Sequence, residues 1–261
     1  MRPRRASPQR GARASNATIG NRAAYESPFA VRHFARQANL FRPEVSILEL
    51  VRTTLRTASM LDVGVGGGRT TLHFAPAARR YVGVDYAPAM IAACRNRFRS
   101  RDLRFCVADA RAFPFADRSF GFVLFSYNGI DYVSHDDRLR VLAEVRRMLE
   151  PGGYYAFSTH NLIDAPRFLT TRRSRDPRVA LVCRLLRRHN PPLSVIASAD
   201  WIVLRDGALR GSLATYYVRR HAQLRQLADA GFSVVDVLQL DGSAARAASA
   251  DPWLYYLCRR D

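Results

Sequence analysis

Glycines and acids, set at the ends of short apolar runs, are the residues of this 261-residue chain whose spacing suits ligand chemistry. Met60-Leu61-Asp62-Val63 runs into Gly64, Gly66 and Gly68, glycines at every second position, and Arg69 to Phe74 reads as the first turns of a helix. A strand, a glycine turn and a helix in that order let the backbone approach a ligand that a Cβ would hold off. Tyr81-Val82-Gly83-Val84-Asp85 reads as a second strand closing on a carboxylate 21 positions after Gly64. In a βαβ unit that spacing puts an acid beside a nucleoside, where it accepts from ribose hydroxyls. Leu103 to Ala110 is a third strand, closing on Asp109, and Phe120 to Tyr127 is a fourth. The fourth is apolar almost throughout, as befits a strand buried on both faces. A dinucleotide site would place a third glycine where Arg69 stands, and it gives Asp109 no role.

The rest of the chain must position these groups. Residues 1–20, rich in Arg, Pro, Ser, Gly and Ala, read as a disordered basic tail. Residues 21–58 carry helical periodicity and form a helical cap of two or three helices, with Ser27-Pro28 a helix start. Residues 59–161 are the ligand-binding core. Residues 162–218 interrupt it with a lid and a hairpin. The lid holds Arg167, Arg172, Arg173, Arg175, Arg178, Arg184, Arg187 and Arg188 opposite an apolar face of Val179, Leu181, Val182, Leu185 and Leu186. It reads as a solvated helix over the site, with docking on a membrane surface or an anionic substrate as the alternative. Trp201 to Val218 reads as a hairpin turning at Asp206-Gly207 in a type I′ turn. Residues 219–261 return to the core with a helix stopped by Gly231 and two closing strands.

Between about Met60 and Asn161 the chain resembles a class I S-adenosylmethionine-dependent methyltransferase. The D/E-x-G-x-G-x-G pattern of that family is matched by Asp62, Gly64, Gly66 and Gly68, and its L-K-P-G-G turn by Leu149-Glu150-Pro151-Gly152-Gly153, with Glu150 replacing the usual Lys. The resemblance implies an α/β fold: a Rossmann-like, doubly wound seven-stranded sheet with an antiparallel final strand. It implies S-adenosyl-L-methionine as cofactor, with Asp85 on the ribose, Tyr86 and Met90 beside the adenine, Asp109 accepting from the adenine amino group and Ala110 offering a backbone amide. It places Ser126, Tyr127 and Asn128 near the sulfonium. Methyl transfer from an activated donor needs the acceptor held in line and water excluded, and a hydroxyl acceptor needs a base as well. His160, at the end of the fifth strand, and Tyr216 and Tyr217, in the hairpin, are the catalytic candidates, with His135 a further histidine near the fourth strand's loop. Tyr216 and Tyr217 point to opposite faces, so at most one meets the pocket.

The acceptor is expected to be a small molecule. The segment Ser126 to Tyr132 departs from the N/D-P-P-Y/F element of enzymes that methylate base amino groups. The charge argues the other way: 41 basic against 22 acidic residues give a formal +19, and every basic residue is Arg. An RNA or other anionic macromolecule is therefore the alternative acceptor, and a non-catalytic cofactor-binding role a second alternative. Cys94, Cys106, Cys183 and Cys258 lie far apart without a C-x-x-C pair, so neither a metal site nor a disulfide framework is expected. Reduced thiols, the absence of an apolar run near 18 residues, and a basic start with no apolar segment behind it predict a cytoplasmic protein without a transmembrane segment.

Overall fold

The computed structural model describes residues 17–99, 101, 103–165, 181, 184, 186–206 and 213–261. Residues 1–16 of the expected tail lie outside the described residues, as do Arg167, Arg172, Arg173, Arg175 and Arg178 with Val179, Val182, Leu185 and Cys183. Three helices precede the sheet: α1 (Ala17–Glu26), α2 (Pro28–Arg36) and α3 (Arg42–Thr57). α1 thus begins inside the stretch read as tail. Ser27 caps α2, its side chain accepting from the Ala30 amide, with Pro28 at the first helical position, where the missing N–H leaves nothing unsatisfied.

Strands and helices then alternate: β1 (Ser59–Val63), α4 (Thr71–Phe74), β2 (Arg80–Asp85), α5 (Pro88–Arg97), β3 (Arg104–Val107), β4 (Phe120–Phe125), α6 (His135–Met148) and β5 (Leu149–Asn161). The helix after the glycine turn is a single turn continued by a 3-10 turn at Ala75–Ala77. Pro76 ends it, since its ring removes a donor and crowds the carbonyl four residues back. The chain continues through α7 (Leu193–Ser198), β6 (Trp201–Leu204), β7 (Thr215–Val218), α8 (Arg220–Asp229), β8 (Phe232–Leu238) and β9 (Trp253–Arg260).

β3, β2, β1, β4 and β5 are parallel neighbours in that order, and β9 pairs antiparallel with β5 and with β8. These are the seven expected strands. The inserted hairpin joins the same sheet, so nine strands are hydrogen-bonded together. β5 meets β4 as far as Phe157 and, past the end of β4, meets β7 at His160 and Asn161, while β9 lines its other edge. The hairpin therefore stands directly beyond the carboxyl end of β4. Its register pairs Leu204 with Thr215, and Gly207 of the expected Asp206-Gly207 turn lies outside the described residues.

β1 and β4 are buried at every position, as central parallel strands must be. Alternate residues serve two cores: Met60, Phe122 and Leu124 pack with Ile47, Val51 and Ile91, while Leu61, Val123 and Phe125 pack with Val141, Val145 and Leu227. Successive strands run outward from β1 in one direction and outward from β4 in the other. That reversal opens a crevice at the carboxyl ends, the place where open α/β sheets bind ligands. Among the described residues, no helix is long and apolar enough to cross a membrane.

Candidate active site

The crevice occupies about 390 Å³. The glycine turn forms its floor: Gly64 and Gly66 line it with φ of +63° and +54°, a left-handed backbone that favours glycine. A Cβ built on Gly66 meets nothing nearer than 3.9 Å, so the open side of this residue faces space. Gly68 serves differently. It does not line the crevice, and a Cβ there would lie 2.4 Å from the Phe98 ring, so this glycine lets α5 close against the turn. The cap lies over the same turn, since a Cβ on Gly67 would fall 2.4 Å from the Ala35 backbone in α2.

The strand-end acids sit in different surroundings. Asp62 is buried and accepts from Thr70 Oγ1 and the Tyr81 hydroxyl, each at 2.6 Å. Asp85 is buried and accepts from the amides of Gly66 (3.0 Å) and Ala87 (2.9 Å). Burial pushes each carboxyl up to about 6, against the pull of those hydrogen bonds. Asp109 is half-exposed, and its paired Arg111, reaching both carboxylate oxygens, lowers its pKa. Met90, Ala110 and Tyr86 line the crevice beside these acids, and the Tyr86 hydroxyl is buried with no hydrogen-bond partner among the described residues.

At the end of β4 the backbone turns left-handed at two consecutive residues, Tyr127 (φ +57°) and Asn128 (φ +61°). Non-glycine residues in that region store about 1–3 kcal/mol each and persist only when the surroundings hold them. Here the Asn128 amide donates to Ser158 Oγ at 2.8 Å, and the Tyr127 ring lies between those of Phe34, Phe41 and Trp253. Ser126 gives its hydroxyl to Glu44. Glu44, from α3, is fully buried and receives Arg69 through both nitrogens (2.5 and 2.6 Å) and the Phe41 amide at 2.8 Å. One cap carboxylate thus ties α3 to the glycine turn and to the end of β4.

A second buried carboxylate organises the other wall. Asp131 lies in the 3-10 turn Gly129–Tyr132 and is fully buried. Its Oδ2 accepts from the backbone amide of His160 and faces the ring Nδ1, both at 2.7 Å. Its Oδ1 receives Arg138 (2.5 Å) and the Thr159 hydroxyl (2.6 Å), and Arg138 continues to Gln223 Oε1 at 2.6 Å. With Nδ1–H directed at Asp131, the imidazole leaves Nε2 as the basic nitrogen. His160 lines the crevice, and its Nε2 is 3.4 Å from Asn128 Nδ2.

The tyrosine candidates fall elsewhere. Tyr216 projects to the opposite face, where its hydroxyl bonds His135 Nδ1 (2.7 Å) and Gln226 (3.1 Å) and its ring stacks on Trp201. Register decides this: Tyr217 is directly opposite His160, so Tyr217 shares its face and Tyr216 takes the other. Tyr217 nevertheless does not line the crevice; its ring packs 4.9 Å from His160 and its hydroxyl bonds Asp206 at 3.0 Å. His135, stacked 4.0 Å over Trp201, stands outside as well.

The crevice thus offers a glycine floor with room above it, two buried carboxylates, and an orphaned phenol, a donor and acceptor set suited to a nucleoside with a charged tail. Residues 60–153 match the methyltransferase domain family. That stretch, from β1 into β5, carries the methyltransferase domain. The cofactor of such a domain is S-adenosylmethionine. Over 99 residues this chain is 36% identical to a demethylmenaquinone methyltransferase of Thermus thermophilus, covering 36% of this chain and 43% of that protein. Over 117 residues it is 38% identical to a phthiotriol/phenolphthiotriol dimycocerosates methyltransferase of Mycobacterium tuberculosis, covering 40% and 41%. The match therefore spans about two fifths of these curated relatives. The fold is similar to that of a Burkholderia thailandensis 1,6-didemethyltoxoflavin-N1-methyltransferase solved with its substrate and S-adenosylhomocysteine, with a TM-score of 0.60 at 16% identity, covering 100% of this chain and 93% of that one.

Sequence reasoning missed the two carboxylates that organise the methyltransferase site. Glu44 sits in the apolar stripe of a cap helix, where its burial depends on Arg69, 25 residues away. Asp131 follows β4 within the stretch Ser126 to Tyr132, and an acid there was a visible signal. Trp253 and Tyr132 also line the crevice, brought there by β9 and the 3-10 turn.

Proposed function

We propose that this chain transfers a methyl group from S-adenosylmethionine to the hydroxyl of a small-molecule acceptor, with His160 as general base and Asp131 as its positioning residue. The observation that carries the reading is the pair of 2.7 Å contacts from Asp131 Oδ2 to the amide and Nδ1 of His160, which fix the ring with Nε2 at the crevice wall. Gly64 and Gly66 would carry the amino-acid tail, Asp85 the ribose, and Tyr86, Met90, Asp109 and Ala110 the adenine. Tyr127 and Asn128 would border the reacting end, and Asp62 would support the turn from behind. The cofactor supplies an activated methyl group on a sulfonium sulfur. His160 Nε2 would take the acceptor's hydroxyl proton as the oxygen bonds the methyl carbon and the carbon–sulfur bond breaks, releasing S-adenosylhomocysteine, and Asp131 would stabilise the resulting imidazolium. An oxygen acceptor uses such a base, whereas an already neutral amine does not.

The relatives' names speak for small-molecule acceptors over nucleic acid: one is named for demethylmenaquinone, one for phthiotriol dimycocerosates, and the similar fold for a toxoflavin precursor. The test pairs calorimetry of S-adenosylhomocysteine binding with methyl transfer from labelled donor to phenols and amines. His160→Gln should leave Kd within about threefold and lower kcat on phenols about 10²-fold or more. Asp131→Asn should lower kcat about tenfold or more, because the ring loses the acceptor that orients it. Unchanged turnover in His160→Gln removes the base, and absent nucleoside binding removes the reading entirely.

A further inference from the structure

We infer that the acceptor is an uncharged aromatic ring carrying the reacting hydroxyl and a second ring oxygen, and that Trp253 selects it through its indole N–H. This deepens the proposed reading and rests on it. The wall around His160 is made of rings set on edge to one another. Tyr132 stands 6.4 Å from His160 at 78°, Trp253 stands 6.0 Å from it at 81°, and Tyr127 stands 6.1 Å from Trp253 at 78°. A flat ring in this space can lie along one wall and present its edge to the next, the two arrangements aromatic pairs prefer.

The polar groups here are few and specific. Trp253 Nε1, which can only donate, and Asn128 Oδ1, which can only accept, are both buried with no hydrogen-bond partner among the described residues, and both residues line the crevice. A buried donor left unmatched destabilises a protein, so its retention on a ligand wall points to a lone pair arriving with the ligand. Trp253 is the register partner of His160 across β9 and β5, so the two side chains share a face and stand side by side. One ring oxygen can then meet Nε2 of His160 while a neighbouring one meets the indole N–H. Among the described residues, the charges at this wall are already paired, Asp131 with Arg138 behind His160 and Arg69 with Glu44, and Asn128 is neutral. An ammonium or carboxylate held here would be desolvated without a counter-ion.

The test uses the full chain with labelled S-adenosylmethionine and six probes: catechol, resorcinol, hydroquinone, phenol, cyclohexane-1,2-diol and 2-phenylethylamine. At least one dihydroxybenzene should exceed phenol in kcat/KM by about tenfold, the worth of one matched buried hydrogen bond. The diol and the amine should stay near background. Trp253→Phe keeps a ring on the wall and removes the donor; it should bring the ratio of kcat/KM for the best dihydroxybenzene over phenol from about tenfold down to about one. Preference for the diol or the amine, equal loss on phenol and dihydroxybenzene in Trp253→Phe, or no methylated arene while S-adenosylhomocysteine still binds would each overturn the inference. Loss of nucleoside binding in the unmodified chain would instead overturn the underlying reading.

Discussion

Asp85 and Asp62 are carboxyls held up to about 6 by burial, and the two have opposite consequences for pH. Asp85 lines the crevice and, to accept from ligand hydroxyls as proposed, must be ionised. Protons therefore compete with the nucleoside, and affinity for S-adenosylhomocysteine should fall as pH drops below about 6, approaching tenfold per unit. Calorimetry between pH 5 and 8 reads this, and Asp85→Asn should bind weakly with a flat profile. Asp62 bears on stability. Burial raises its folded pKa above the ordinary carboxylate range, so the folded state holds its proton more tightly than the unfolded chain does. The stabilisation is complete below about pH 4 and is lost as pH rises through about 6, a change near 3 kcal/mol. Asp62→Asn should remove that slope, read as a thermal-stability difference from the unmodified chain that changes between pH 4 and 6 and is level above. Both acids were legible because strand alternation and a 21-residue spacing announce them. Tyr216 was not: which face each hairpin tyrosine takes depends on the register with β5, and the expected Asp206-Gly207 turn implied a different pairing from the one formed.

Beside the apolar packing of α3, a buried ion pair ties the cap to the glycine turn after β1. Glu44 and Arg69 have side-chain exposures of 0% and 9%, and removing one partner leaves a charge buried without compensation, a loss of about 3–5 kcal/mol. Glu44→Ala should therefore lower the melting temperature by many degrees. Glu44→Leu combined with Arg69→Met should recover most of it, because two apolar side chains of similar size leave no orphan charge. Equal melting temperatures for the single and double variants would show that the pair contributes nothing of its own. The alternation of strands and helices was readable because parallel strands are uniformly apolar and the turns between them carry Gly or Pro. The convergence of α3, the glycine turn and β4 on one carboxylate was not, because an isolated Glu in a helix reads as solvent-facing until its partner's position is known.

At the scale of the whole molecule, the formal charge of +19 is the property least explained by the crevice. Arg69, Arg111, Arg138 and Arg147 pair with carboxylates, but each pair uses one charge of either sign and leaves the net +19 unchanged. A general affinity for polyanions should accordingly be purely ionic. Bulk RNA retained at about 50 mM salt should be released by about 200 mM, with no methyl incorporation; retention that survives, with labelled RNA recovered, would return the anionic acceptor to first place. The cap has a further kinetic meaning. α2 presses its backbone onto Gly67 too closely to admit a methyl group, and buried Asn21 in α1 donates to the Tyr132 carbonyl at 3.0 Å. Spent nucleoside cannot depart from beneath such a roof without a hinge swinging. The turnover ceiling should then follow solvent viscosity, with sucrose slowing every acceptor to a common rate however reactive its oxygen.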